Sequence, residues 1–327
     1  MVDYPGKSAQ SRAPRSPLPP RPMPPRPTYR GPKPINLLKY HRPKLRLSQV
    51  REVPRLSKES RQCIRTLASY RLPKPRLKFP KSKCAAVLVA LFVGRSGELH
   101  VLLSRRAATL RTFAGDTSLP GGKVDPEDKN FEDAARREAF EEIGLPRDRR
   151  KVPLLCVLDP FIASNQLIVV PVVVLIVDNT LRPILNSAEV ASIFSHPLKA
   201  FVSSDYPLNA EMASLEVPHH SYKDHTLPPG PDGACRQMRV HQFLTGREAG
   251  GTKPVFGLTA AILIRVAMLG YRKEPDFEVE PPGAPTNEER IAWVMYSNPD
   301  FREACEVEGV EVEWESVRCI AEEQGGC

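Results

Sequence analysis

Three carboxylates, Glu138, Glu141 and Glu142, recur at i, i+3 and i+4 in a segment with a helical stripe of Phe131, Ala134, Ala135 and Phe140. On a helix those spacings share one face. Like charges so placed repel, and a divalent cation removes the repulsion. Mg²⁺ takes oxygen ligands, keeps several waters and shares its shell with substrate phosphates. The competing reading is an ordinary solvated acidic face. The preceding residues decide between the two. Leu119-Pro120-Gly121-Gly122-Lys123-Val124-Asp125 reads as a strand end running into a tight Gly-Gly loop, where a backbone can turn sharply or approach a ligand. The helix is predicted from about 131 to 143, with Gly144 as its stop.

Strand, Gly-rich loop and carboxylate helix in that order resemble the Nudix box of the Nudix hydrolases. Gly122 opens the box, and Arg137-Glu138-Ala139-Phe140-Glu141-Glu142-Ile143-Gly144-Leu145 completes it. One departure stands out. The loop is one residue longer than the family pattern, and its acid is Asp128 or Glu127. The resemblance implies an α/β fold, a Nudix-type α/β/α sandwich with a mixed sheet. It also implies Mg²⁺ or Mn²⁺ held by Glu138, Glu141 and Glu142, with Glu138 or Glu142 as a base. Arg137 would orient these carboxylates and pair with Asp128 or Glu127. Glu189, outside the box, is an alternative base; its plainer reading is an acid at a helix N-terminus.

Upstream, Leu102-Leu103-Ser104-Arg105-Arg106, then Leu110-Arg111, Gly115 and Ser118-Leu119-Pro120-Gly121-Gly122, resemble the coenzyme A pyrophosphatase branch of the family, its fungal peroxisomal members most of all. Asn186-Ser187-Ala188-Glu189-Val190 and Val255-Phe256-Gly257-Leu258-Thr259-Ala260 resemble the same branch. The likeness covers roughly 57–271. It implies cleavage of coenzyme A or acyl-CoA to 3′,5′-ADP and phosphopantetheine. Coenzyme A is a polyanion, and Arg105, Arg106 and Arg111 beside the acidic helix, with Gly121 and Gly122, are the candidate substrate contacts. Arginine binds phosphate oxygens bidentately. Two alternatives stand beside this reading: a Nudix pyrophosphatase for NADH or a nucleoside diphosphate sugar, and a non-catalytic Nudix scaffold with a partner-binding tail.

Charge separates the chain into regions. Residues 1–82 hold 21 Lys+Arg and 3 Asp+Glu, leaving 26 basic against 35 acidic residues in the remainder. The formal net charge of +9 thus comes from the N-terminal region and implies no specific nucleic-acid partner. We expect 1–55 to be a disordered Pro/Arg-rich basic tail, with 13 prolines up to Pro54. Arg21-Pro22-Met23-Pro24-Pro25-Arg26-Pro27 in it fits an SH3-type ligand, against the plainer reading of a linker. Residues 56–271 form the expected hydrolase domain and 272–327 an acidic C-terminal extension, with Trp314 and Val317 either packed back or part of a mobile tail. Seven scattered cysteines suit a reduced compartment. No apolar run is long enough for a membrane span. The expected location is cytoplasmic. A peroxisome is the alternative, since Arg55-Leu56 and Gln62-Cys63 nearly form an import signal, although the chain ends in Gln324-Gly325-Gly326-Cys327.

The expected elements are helices at 57–70, 188–194, 258–269 and 289–296. Expected strands are Cys84–Val93, Leu99–Ser104, a short one ending at Leu119, Lys151–Leu158, Gln166–Asp178 and Arg239–Phe243. His219, His220, His225 and His241 fit no closed zinc pattern, and 203–235 is expected as a surface loop over the cleft.

Overall fold

Cys84–Val93, ten apolar and mostly buried residues, is the axis of the molecule. In the computed structural model this run is strand β1, and both of its faces are covered. Residues 84, 86, 88 and 90 face one apolar cluster and residues 89 and 91 the other. That two-sided burial is why the run shows no polar alternation. The structure describes residues 56–178, 180–205, 217–227 and 235–322. The basic tail, the SH3-type motif and the C-terminal Gln324–Cys327 lie outside the described residues.

Helix α1 (Lys58–Ser69) precedes β1, capped by Ser57, whose hydroxyl accepts from Ser60 N. Then come β2 (Leu99–Arg106), β3 (Thr117–Ser118), β4 (Gly121–Lys123), α2 (Phe131–Ile143), β5 (Leu154–Val157), β6 (Phe161–Ile162), β7 (Ile168–Leu175) and β8 (Val190–Pro197). They form an eight-stranded mixed sheet in the order β3-β2-β1-β7-β5, with β4 on β1, β6 on β7 and β8 on β2. The β1–β7 pair is parallel, in register from Cys84↔Ile168 to Leu91↔Leu175. The other pairs are antiparallel. A second sheet holds β9 (His220–Thr226), β10 (Gln237–Phe243) and β11 (Val255–Phe256). The last helices are α3 (Gly257–Tyr271), α4 (Asn287–Ser297), α5 (Pro299–Glu308) and α6 (Trp314–Glu322).

Helices cover both faces of the large sheet. One face carries α2 with Phe131, Ala135 and Ile143, joined by Ile291, Phe301, Val317 and Ile320 from α4–α6. The other carries Ile64 and Leu67 of α1 and Leu263 and Val266 of α3. This is an α/β/α sandwich with a mixed sheet.

The acidic C-terminal segment thus packs as three helices. Trp314 and Val317 belong to the α2-side cluster. Each end of the segment is locally encoded. Thr286 and Glu289 form a capping box on α4, Asn298 caps α5 with Pro299 following, and Gly309 closes α5 in the left-handed region. Glu308 accepts the backbone N–H groups of Lys81 and Ser82 at 2.6 and 2.9 Å, tying α5 to the entry of β1.

Two expectations are corrected. The helix anticipated at 188–194 is strand β8, which pairs with β2 from His100↔Pro197 to Arg106↔Val190. Ala188 and Glu189 are good helix formers, but local propensity is a weak constraint and the ladder with β2 outweighs it. Likewise, 203–235 is not only loop: His220–Thr226 is a strand hydrogen-bonded along the whole of β10. The strand ends around 151–158 and 166–178 are shorter than anticipated.

Candidate active site

Helix α2 is positioned by its two ends. Asn130 caps it, its Oδ1 accepting from Asp133 N at 2.9 Å, and Glu132 and Asp133 complement the N-terminal dipole. Gly144, at φ 66°, closes the other end. The next segment comes back across that end: Ile184 N donates to Ile143 O and Asn186 N to Glu142 O. That return places Glu189 beside Glu142.

Arg137 is the hub of the acidic face. It grips Asp128 with two nitrogens, Nη2 to Oδ2 at 2.9 Å and Nε to Oδ1 at 3.2 Å. Its Nη1 reaches Glu138 at 2.9 Å and Glu141 at 3.3 Å, and its Nη2 also donates to Lys123 O at 2.9 Å. Asp128 is buried and accepts Asp125 N at 2.8 Å, whereas Glu127 is exposed. Of the two loop acids left open by the sequence, Asp128 is therefore the partner of Arg137. These bonds hold the guanidinium firmly protonated.

Gly121 is the glycine that close backbone approach requires, since a Cβ there would fall 2.4 Å from Ala86 O, whereas Gly122 leaves room for the Glu138 carboxylate. A Cβ on Gly122 would lie 2.5 Å from Glu138 Cδ. Gly121 N donates to Glu142 Oε2 at 3.3 Å. Burial raises the Glu138 pKa, opposed by Arg137 and reinforced by Glu141 and Asp125. Burial, then the neighbouring Glu138 charge, pushes Glu142 up to about 8; Arg106 and the Gly121 N–H oppose that rise and Glu189 adds to it. Glu141 is about half exposed and bonds to Arg137 and Arg147.

The arginines separate. Alternation along β2 sends them to opposite faces, Arg106 to the α2 side with Leu102 and Arg105 to the other side with Leu103, and a register irregularity in the β2–β8 ladder falls between them. Arg106 faces Glu142. The Arg105 guanidinium nitrogens stand 3.7 and 3.8 Å from where a Cβ on Gly251 would lie. The Nε atoms of both are buried without a partner, and neither side chain forms an ion pair among the described residues. Arg111 is exposed on the loop joining β2 to β3. Phe140, expected in the apolar stripe, is instead 51% exposed beneath the Arg147 guanidinium. Sequence reasoning missed Lys253, whose ammonium donates to Ala114 O at 3.0 Å and pairs with Asp116. Nothing local marks a contact across that chain distance.

A divalent cation fits this donor set in its chemistry. Burial raises the pKa of both Glu138 and Glu142, the Glu138 charge adds to the rise at Glu142, and all the donors are hard oxygens. As the side chains stand, no three His, Cys, Asp or Glu groups among the described residues converge on one point. The histidines form no such group either. His196, His219, His220 and His241 are buried beside Phe201, Phe243 and Phe277, with His220 Nε2 and His241 Nδ1 2.9 Å apart. A cavity of about 700 Å³ lined by Phe92, Arg95, Leu102, Leu145 and Ile176 lies near the C-terminal end of α2, and no candidate site residue lines it.

A mixed α/β/α sandwich with an Arg-centred acidic helix against a Gly-Gly loop defines the class. The NUDIX domain family matches residues 83–215. The chain belongs to the Nudix hydrolases, whose members generally need a divalent metal ion. It is 36% identical to Nudix hydrolase 15, mitochondrial, of Arabidopsis thaliana over 60% of this chain and 62% of that one. It is 33% identical to Nudix hydrolase 22, chloroplastic, of the same plant, over 69% of each chain. It is 33% identical to peroxisomal coenzyme A diphosphatase 1 of Saccharomyces cerevisiae over 51% of this chain and 58% of that one. The chain thus spans about three fifths of the first and third of these relatives. Their names point to three compartments. Among the described residues no helix is long and apolar enough to cross a membrane.

Proposed function

We propose that this chain hydrolyses the pyrophosphate bond of coenzyme A or acyl-CoA, giving 3′,5′-ADP and (acyl-)phosphopantetheine. The observation that carries the reading is the pair Arg105 and Arg106, whose buried Nε atoms have no partner and which form no ion pair among the described residues, the Arg106 charge acting on Glu142. A polyanion supplies what they lack, and an arginine matches phosphate oxygens in a planar fork. The yeast relative, by its name a coenzyme A diphosphatase, agrees with this substrate.

Glu138, Glu141 and Glu142 would hold Mg²⁺ or Mn²⁺. Such an ion, when bound, supplies charge stabilisation of the phosphoryl oxygens and a more acidic water. The chain's own residues do the rest. Arg137 fixes Glu138 and Glu141 from one side while its grip on Asp128 fixes Arg137 itself. Gly122 lets Glu138 sit against the loop backbone. Glu138 or Glu142 takes the proton from the attacking water, and Arg106 offsets charge gathering near Glu142. Arg105, Arg106 and Arg111 receive the phosphates.

The test is incubation of purified protein and Mg²⁺ with coenzyme A, NADH, ADP-ribose and capped RNA, with products separated. Release of 3′,5′-ADP from coenzyme A in preference to the others is expected. Nicotinamide mononucleotide from NADH, with coenzyme A left intact, would replace this reading by the dinucleotide one.

A further inference from the structure

The loop between β2 and β3, residues 107–116, carries a conformational outlier. Phe113 sits at φ 54°. A bulky residue in the left-handed region is strained, and such strain persists only where surroundings enforce it. Phe113 is also 52% exposed, so the strain secures no buried packing in return.

The enforcement is visible. At the foot of the loop, Arg106 N donates to Asp116 O at 2.9 Å; within it, Asp116 N donates to Phe113 O at 3.2 Å. Lys253 clamps the next residues, donating to Ala114 O at 3.0 Å and pairing with Asp116, while its own carbonyl accepts Thr117 Oγ1 at 2.6 Å. Two residues before Lys253, Gly251 lies against the Arg105 guanidinium. The loop, which starts at Arg106 and carries Arg111, is thereby fixed, and its Phe113 ring is half exposed.

We infer that Phe113 is a specificity residue, the stacking platform for the purine ring of the nucleotide half of the substrate, with Lys253 as its positioning residue. This rests on the coenzyme A reading. An exposed aromatic on the same short loop as Arg111, just after Arg106, suits a base, because every base offers a π-face and stacks without needing hydrogen-bond partners. A flexible aliphatic arm would be served equally by any apolar side chain.

The experiment compares substitutions and halves of the substrate. Phe113→Ala should raise KM for coenzyme A by about tenfold, the scale of one lost base stack, with kcat within about twofold. Phe113→Tyr should restore KM, and Phe113→Leu should not. Phe113→Gly should raise Tm, since glycine reaches this φ freely, while raising KM as Ala does. Lys253→Met should move KM in the same direction. In Phe113→Trp, 3′,5′-ADP should quench the new indole and phosphopantetheine should not. An unchanged KM in Phe113→Ala, full function in Phe113→Leu, or quenching by phosphopantetheine alone would overturn the inference. A wild-type chain that leaves coenzyme A intact overturns the parent reading instead, and quenching of Phe113→Trp by 3′,5′-ADP still decides the stacking.

Discussion

The two ends of helix α2 hold the same residue types in opposite electrostatic states. At its start Glu132 is buried, yet its pKa is lowered. Burial opposes the ionised form, but hydrogen bonds and charge from Arg149 and Arg136 prevail. Both arginine Nε atoms reach the same Glu132 oxygen at 2.8 Å, Arg149 also pairs with Asp133 at 2.7 Å, and Arg136 donates to Val152 O at 2.7 Å. Two anions meet two cations, and the cluster is closed. Further along the same helix Arg137 is set against Asp125, Asp128, Glu138 and Glu141, helped only at Glu141 by the exposed Arg147, with Glu142 behind them. There burial wins and the Glu138 and Glu142 pKa values rise. A satisfied ion cluster holds a helix in place, whereas a carboxylate excess kept out of water has a use only if a cation or a proton is to arrive there.

The comparison can be broken at either end. The largest effect is expected from Glu132→Gln, which leaves Arg136 buried without its counter-charge. Urea unfolding should show a loss of about 3 to 5 kcal/mol, while the rate per folded molecule stays within about twofold. The pH dependence has a definite sign. Because the folded pKa of Glu132 is depressed below 4.5, its contribution is fully present above that value and is lost as pH falls below it. Glu132→Gln should therefore flatten the acid limb of the stability curve. A mutant as stable as the parent would show that this end is not the structural one.

Next in size is the reverse outcome at the other end. Glu142→Gln and Glu141→Gln should each cost at least about 10²-fold in rate, the scale of losing a principal electrostatic stabiliser, with urea stability equal or higher. Near-parental turnover at saturating Mg²⁺ would remove the acidic face from the chemistry.

A smaller effect sharpens the contrast. Mg²⁺ should raise the Tm of the wild type, by an amount equivalent to about 2.7 kcal/mol at a hundredfold excess over Kd. The shift should persist in Glu132→Gln and shrink in Glu142→Gln. Equal shifts in both variants would mean that the ion binds elsewhere.

Much of this helix was legible from local pattern alone. The bounds Phe131–Ile143, the Gly144 stop and the continuous β1 run follow from capping chemistry and apolar periodicity, which act over a few residues. The i, i+3, i+4 spacing of Glu138, Glu141 and Glu142 likewise fixes their common face without reference to the rest of the chain. Asn298-Pro299 and Gly309, which bound α5, are local signals of the same kind.

What the tertiary structure decided are the matters that turn on residues far apart. Whether 190–197 is strand or helix depended on β2 lying free to pair with it. Which loop acid serves Arg137 depended on Asp128 being buried and Glu127 exposed, and which of Arg105 and Arg106 meets the acidic helix depended on which face of β2 α2 covers. Glu189 reaches Glu142 only because 181–189 runs back across the end of α2, and Lys253 reaches Asp116 only because β11 packs near β3. Local sequence carries propensity and spacing, and these determine elements. Partners at long range are selected by burial and by the pairing left available once those elements dock.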